Sequence, residues 1–227
     1  MKRFLTVIVA SLLIIAKAWA GDLASLSNAE TVGGLKEALS KGAEMAVGVL
    51  GKENGFLGNE KVKIPLPDSL AQIEGVLRMM GMGKQTDELV TSMNRAAEAA
   101  VPEAKKLLLD AVKKMSVEDA KGILTGGDDA ATAYFRKSTE NALKEKFLPV
   151  VKKATEKTGL AQRYNDFASK AAKFGALDAS QSNIENYVTL KALDGLYNII
   201  AEEERAIRKN PLEQGGKLIG KVFGVMK

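Results

Sequence analysis

Two adjacent carboxylates, Glu203 and Glu204, stand on a stretch whose other residues are largely apolar. At about 100° per residue, Lys191, Asp194, Asn198, Glu202, Arg205 and Lys209 fall along one polar stripe of a helix over 184–209. Leu190, Leu193, Leu196, Tyr197, Ile199, Ile200 and Ile207 cover most of the remaining circumference. A helix that apolar is central to its fold. Glu203 falls near Leu196, Ile199 and Ile207, and Glu204 near Leu193, Tyr197 and Ile200. Carboxylates in such surroundings must be paired, hydrated or shifted in pKa. Arg208, one turn after Glu204, is the local partner. Asn94 and Arg95, which flank the inner face of another long helix, are candidates to extend the same network. Such a network serves either as an ion-pair lock between helices or as a site for a ligand head-group. A hydrolase with one of these glutamates as base is the enzymatic alternative. Adjacent helical residues point about 100° apart, however, so the pair cannot flank one bond.

The composition removes most other chemistry. The chain has no cysteine and no histidine. Disulfides, thiol nucleophiles and histidine bases are therefore excluded, and zinc, copper and haem sites of the usual kinds lose their best ligands. No metal and no cofactor is expected. The first twenty residues read as a cleaved export leader: Lys2 and Arg3, an apolar run from Phe4 to Ala16, then Ala18-Trp19-Ala20 as a small-x-small cleavage site. The run is too short to span a bilayer, and no cysteine follows it for lipid attachment. The leader holds three of the 33 basic residues and none of the 28 acidic ones, so the net charge falls from +5 to +2. Nucleic acid is accordingly not an expected partner. A periplasmic chain of one domain over residues 21–227 follows from this reading.

The rest of the sequence predicts an all-α bundle of about seven to eight helices with one short, extended, proline-pinned segment. A first helix from about Glu30 carries Leu35, Leu39, Met45, Ala46, Val49 and Leu50 on its inner face, and "GKENGFLGNE" ends it. Val62 to Leu66 alternates apolar and polar, and Pro65 and Pro67 keep it from helix. Leu70, Ile73, Val76, Leu77 and Met80 then form one stripe of a short helix capped by Asp68 or Ser69 and stopped by Gly81 and Gly83. A long helix from about Gln85 to Met115 has an alanine-rich inner face that Pro102 kinks or divides. Ser116 and Asp119 form a capping pair for a short helix ended by Gly126. Asp128 or Asp129 caps the next, which runs through Phe147 before Pro149 restarts the chain. A further helix covers about Leu160 to Phe174, and Asn183 caps the last.

The extended strap beside a methionine-bearing turn suggests a mouth for an apolar ligand. Ile64 and Leu66 would form its strap side, and Met79 and Met82 its adaptable wall. Ten basic residues against four acids between Arg136 and Lys173 give a face able to meet anionic head-groups. Three motif-like stretches carry less. "GMGKQT" lacks the first glycine and the final hydroxyl of a phosphate-binding loop. "KENGFLGNE" lacks the early acids of a calcium loop. In "TGGDDAAT", Asp128 and Asp129 would repel an anion from the helix start.

The stretches "IPLPDSL", "MNRAAEAAVPEA", "DAATAYF" and "KALDGLYNIIAEEERAIRKNP" resemble, in order and spacing, an exported bacterial helical family catalogued as domain of unknown function 4197. The resemblance spans about Gly34 to Gly224 and includes Asn94, Arg95, Glu98, Asp129, Tyr134, Asp194, Glu203, Glu204 and Arg208. It implies one helical domain in a Gram-negative envelope and brings no reaction, cofactor or catalytic residue. Gln214-Gly215-Gly216 departs from the basic-plus-hydroxyl stretch expected there. The expected function is a non-enzymatic binding or scaffolding protein for an apolar small molecule, a lipid or an envelope protein. The alternatives are the carboxylate hydrolase and a structural protein that self-associates through the alanine face.

Overall fold

The computed structural model describes residues 28–72, 74–156, 162, 164, 165 and 183–211. These form a packed all-α bundle. Six longer helices build it: α1 (Asn28–Leu50), α4 (Gly83–Ala100), α5 (Ala104–Lys114), α6 (Val117–Thr125), α7 (Ala130–Thr155) and α8 (Ile184–Lys209). Two short helices, α2 (Asp68–Ala71) and α3 (Glu74–Met79), follow the strap. Among the described residues there is no strand. The predicted helix over 160–174, the linker before Asn183 and the tail after Pro211 lie largely or wholly outside the described residues.

Helix α8 packs most extensively on α7 and also on α1 and α4. Asn183 opens it by accepting the Asn186 N–H at 2.9 Å, and its predicted bounds match those observed. Helix α7 reaches several neighbours because its buried residues recur every fourth position: Ala131, Phe135, Thr139, Leu143, Phe147, Val151 and Thr155. With 3.6 residues per turn, a four-residue repeat winds slowly round the helix. The buried stripe thus meets α8, α4, α5 and α6 in one element.

Pro102 divides the long predicted helix. Val101–Glu103 form a 3-10 turn between α4 and α5, because proline cannot donate to the carbonyl four residues back. Pro149 does not break α7, which is a correction to the sequence reading. Both Pro149 and Glu145, whose carbonyl loses its donor, are exposed, so water can satisfy that carbonyl. The capping box of Ser116 and Asp119 is formed, with Ser116 Oγ accepting the Asp119 N–H at 3.0 Å.

Four side chains predicted for the core stand outside it. Met45 and Val49 lie on the outer face of α1, whose inner face is Leu35, Ala38, Leu39, Ala46, Val47 and Leu50. Val76 and Met80 are exposed because the short helix is broken after Ala71 into two pieces. Gly81 ends α3 with φ of +78°, whereas Gly83 opens α4 rather than stopping α3. The strap itself is as expected: Val62, Ile64 and Leu66 point into the core while Lys61, Lys63 and Pro65 face outward or partly so.

Candidate functional site

Glu204 is buried, and its carboxylate closes the N-terminus of α7. Oε1 accepts the Ala131 N–H at 2.9 Å, and Oε2 accepts the Thr132 N–H and hydroxyl, each at 2.9 Å. Arg208 completes the set, donating Nε at 3.1 Å and Nη2 at 2.9 Å to Oε1. Its Nη2 also donates to the Ile123 carbonyl near the end of α6, at 2.8 Å. Three helix ends are therefore tied by one ion pair. Negative charge at a helix N-terminus is favoured by the unpaired N–H groups there. Asp129 makes no side-chain cap to α7, so the expectation that Asp128 or Asp129 caps this helix is corrected: Glu204 from α8 does it.

Glu203 points elsewhere. It is half-buried beside Gly42 of α1, whose added Cβ would lie 3.8 Å from the Glu203 Cβ. Burial, with the nearby Glu202 carboxylate second, pushes its pKa above the usual glutamate value. On the α8 face toward α7, the Tyr197 phenol is pushed up to about 12 by burial and bonds Thr139 Oγ1 at 2.9 Å. Arg136 lies over the Tyr197 ring at 4.5 Å and donates to Asp194 at 3.2 Å.

Asn94 and Arg95 belong to a second station, around the strap, whose hydrogen bonds are to Ile64, Val90, Glu98, Glu53 and Asn54 rather than to the partners of Glu204. Asn94 grips one strap residue from both sides: Oδ1 accepts the Ile64 N–H at 2.8 Å and Nδ2 donates to the Ile64 carbonyl at 2.9 Å. One turn on, buried Glu98 accepts the Phe56 and Leu57 N–H groups at 3.0 Å each. Arg95 pairs with Glu98 at 2.7 Å and reaches Glu53 and Asn54 in the preceding loop. Tyr187 of α8 donates to the Pro65 carbonyl at 3.2 Å. Two side chains of α4 thus satisfy backbone outside the helices: Asn94 holds the extended strap and Glu98 the turn at Phe56 and Leu57.

A family described as "Protein of unknown function (DUF4197)" matches residues 25–224. The chain belongs to this family. No curated protein and no solved structure matches it.

In this DUF4197 member the four candidate pocket residues differ widely in exposure. Ile64 and Leu66 are buried, Met82 is half-buried, and Met79 is 83% exposed. Among the described residues, a polar groove of about 300 Å³ lies between the strap and α8, walled by Lys61, Lys63, Ile64, Lys191, Asp194 and Asn198 among others. Sequence reasoning passed over Glu98 as a site residue, although its position four after Asn94 on the alanine face was a signal. It also passed over Glu185, which is buried and accepts from Asn165 at 2.8 Å and 3.1 Å. Nothing local marks Glu185, since a glutamate in a first helical turn is ordinarily exposed. Among the described residues no helix is long and apolar enough to cross a membrane.

Proposed function

We propose that this chain is an exported, non-enzymatic binding or scaffolding protein that presents an apolar helix face to an envelope partner. The observation that carries the reading is the exposure of Val76, Met79 and Met80, at 51, 83 and 71%. These side chains sit on or directly after α3, which is held in place rather than loose. Arg78 bonds Glu74 within α3 at 2.8 Å and Asp87 of α4 at 2.6 Å. Apolar side chains fixed in water are stabilised by a partner that covers them, and methionine adapts to irregular surfaces. The face projects instead of enclosing space, which suits a segment of a partner protein better than a small ligand.

The leader-like N-terminus supports export, and the want of cysteine and histidine supports a role without nucleophilic chemistry. Glu204 has both oxygens engaged in the helix cap, which speaks against its use as a base. The alanine face is consumed inside the core, which speaks against self-association through it.

Photo-methionine incorporated at position 79 tests the reading in cells. A covalent adduct to an apolar segment of one envelope protein is expected. Met79→Ser with Met80→Ser should abolish that association and leave the melting temperature within about 2 °C, as surface changes do. Absence of any adduct, or a large fall in melting temperature, overturns the proposal.

A further inference from the structure

Among the described residues, the Thr189 hydroxyl is the one buried side-chain polar atom without a hydrogen-bond partner. Threonines in the other helices turn the hydroxyl back onto the carbonyl four residues earlier. Thr86 does so to Met82, Thr125 to Lys121, Thr139 to Phe135 and Thr155 to Val151, at 2.7 to 3.1 Å. Thr189 makes no such bond to Glu185. Folded chains nearly always pair their buried hydroxyls, because an unpaired one costs stability. At 4% exposure the residue is also closed to bulk water.

Thr189 stands at a pocket. Between α7 and α8, a space of about 240 Å³ is lined by Lys144 and Leu148 of α7 and by Asn186, Thr189 and Leu190 of α8. Leu148 is 38% exposed and Leu190 half-buried, so the apolar part of this wall is open to an occupant. Rotation about the Cα–Cβ bond exchanges the Thr189 hydroxyl and methyl, and a helical threonine has both settings available. Whichever of the two faces the space in the empty pocket, the hydroxyl can be offered to a bound molecule.

The lining selects the chemistry of that molecule. Its polar groups, the Thr189 hydroxyl, the Asn186 amide and the Lys144 ammonium, can all donate, and no carboxylate is among the lining residues. Lys144 gives one donor to Glu140 at 2.6 Å, and an ammonium has three. Lys152, one turn beyond Leu148, is exposed and forms no ion pair among the described residues. Donors and two leucines lining one space suit an anionic oxygen group joined to an apolar body. An apolar cavity of about 150 Å³ holds benzene, so this space holds on the order of ten heavy atoms. We propose that the pocket binds a medium-chain alkyl carboxylate, its oxygens on Thr189 and Lys144 and its chain on Leu148 and Leu190. The site uses no residue of α3 and is independent of partner docking there.

The full chain is titrated with octanoate, which has about ten heavy atoms, and followed by methyl NMR. Saturable binding is expected with Kd at or below about 1 mM, within reach of a ligand of that size. The methyl resonances of Leu148, Thr189 and Leu190 should shift together, and those of Met79 and Met80 should not. Octan-1-ol, the same chain without the charge, should bind at least about tenfold more weakly, as loss of a charge-assisted hydrogen bond implies. Thr189→Val exchanges the hydroxyl for a methyl and should weaken octanoate by at least about tenfold. The free variant should melt at or above the wild-type temperature, because no hydrogen bond is lost. A wild-type chain that does not saturate, shifts confined to other methyl groups, or octanol binding equally well overturns the proposal. So does a valine variant that binds octanoate as wild type does, or one that melts lower and so shows the hydroxyl to be already paired in the fold.

Discussion

Glu204 and Thr132 lie 72 residues apart, yet the carboxylate of the first accepts both the backbone N–H and the hydroxyl of the second at 2.9 Å. A side chain late in α8 therefore supplies the cap that α7 lacks locally. With Arg208 reaching the Ile123 carbonyl, the start of α7 and the last turn region of α6 are fixed to the central helix through one buried pair.

Glu204→Ala leaves the Ala131 and Thr132 N–H groups and the Arg208 guanidinium without their acceptor. Removing one partner of a buried pair costs about 3–5 kcal/mol, and chemical denaturation should read a loss of that size. Glu204→Gln retains an acceptor oxygen and should cost less. A Glu204→Ala protein within about 0.5 kcal/mol of wild type, the range of neutral surface changes, would show that the cap is dispensable.

Asn94→Ala should release the strap without dissolving the bundle. Both polar backbone groups of Ile64 lose their partner, at about 1–3 kcal/mol. Hydrogen exchange at the Ile64 amide should accelerate far more than exchange in α8. Limited proteolysis should acquire a new cut between residues 60 and 67. Uniform acceleration across the chain would instead make Asn94 a global stabiliser.

What could be read from the sequence was what short-range chemistry decides. The Asn183 cap, the Ser116 and Asp119 box and the break at Pro102 each depend on residues within four positions. Periodicity likewise exposed the apolar circumference of α8 and the partnership of Glu204 with Arg208. The failures were of another kind. Asp129 looked sufficient to cap α7, and only packing shows that Glu204 arrives first. Asn94 looked like part of the Glu204 network, whereas its amide matches the backbone of a strap 30 residues earlier. Val76 and Met80 fitted a helical stripe, but a stripe has meaning only when the helix is continuous and has something to face.

Gly195 supports a further prediction, because α8 touches the strap loop there. A Cβ at this position would lie 2.6 Å from Phe56 Cε1, 3.2 Å from Phe56 Cζ and 3.3 Å from Val62 Cβ. Phe56 is fully buried and has no room to retreat. Gly195→Ala should destabilise by about 1–3 kcal/mol through overpacking. Gly48→Ala in α1, where an added Cβ meets nothing within 4 Å, should stabilise by about 0.5–1 kcal/mol through helix propensity. Equal effects at the two glycines, measured by urea unfolding, would remove the packing argument.

Glu203 gives the pH dependence its sign. Its pKa is raised in the folded chain by burial and then by the Glu202 carboxylate, above an ordinary value of 4.5. The folded state thus holds this proton more tightly than the unfolded state does. The resulting stabilisation is complete below the ordinary glutamate value and is lost as the pH rises through the raised one. At neutral pH the ionised side chain is a burden on the fold. Glu203→Gln removes it, so the variant should melt above wild type at pH 7, and the difference should close as the pH falls below 4.5. Parallel melting curves across that range would mean that Glu203 is fully hydrated when charged. A variant less stable than wild type at pH 7 would mean instead that the carboxylate has a favourable partner in the fold.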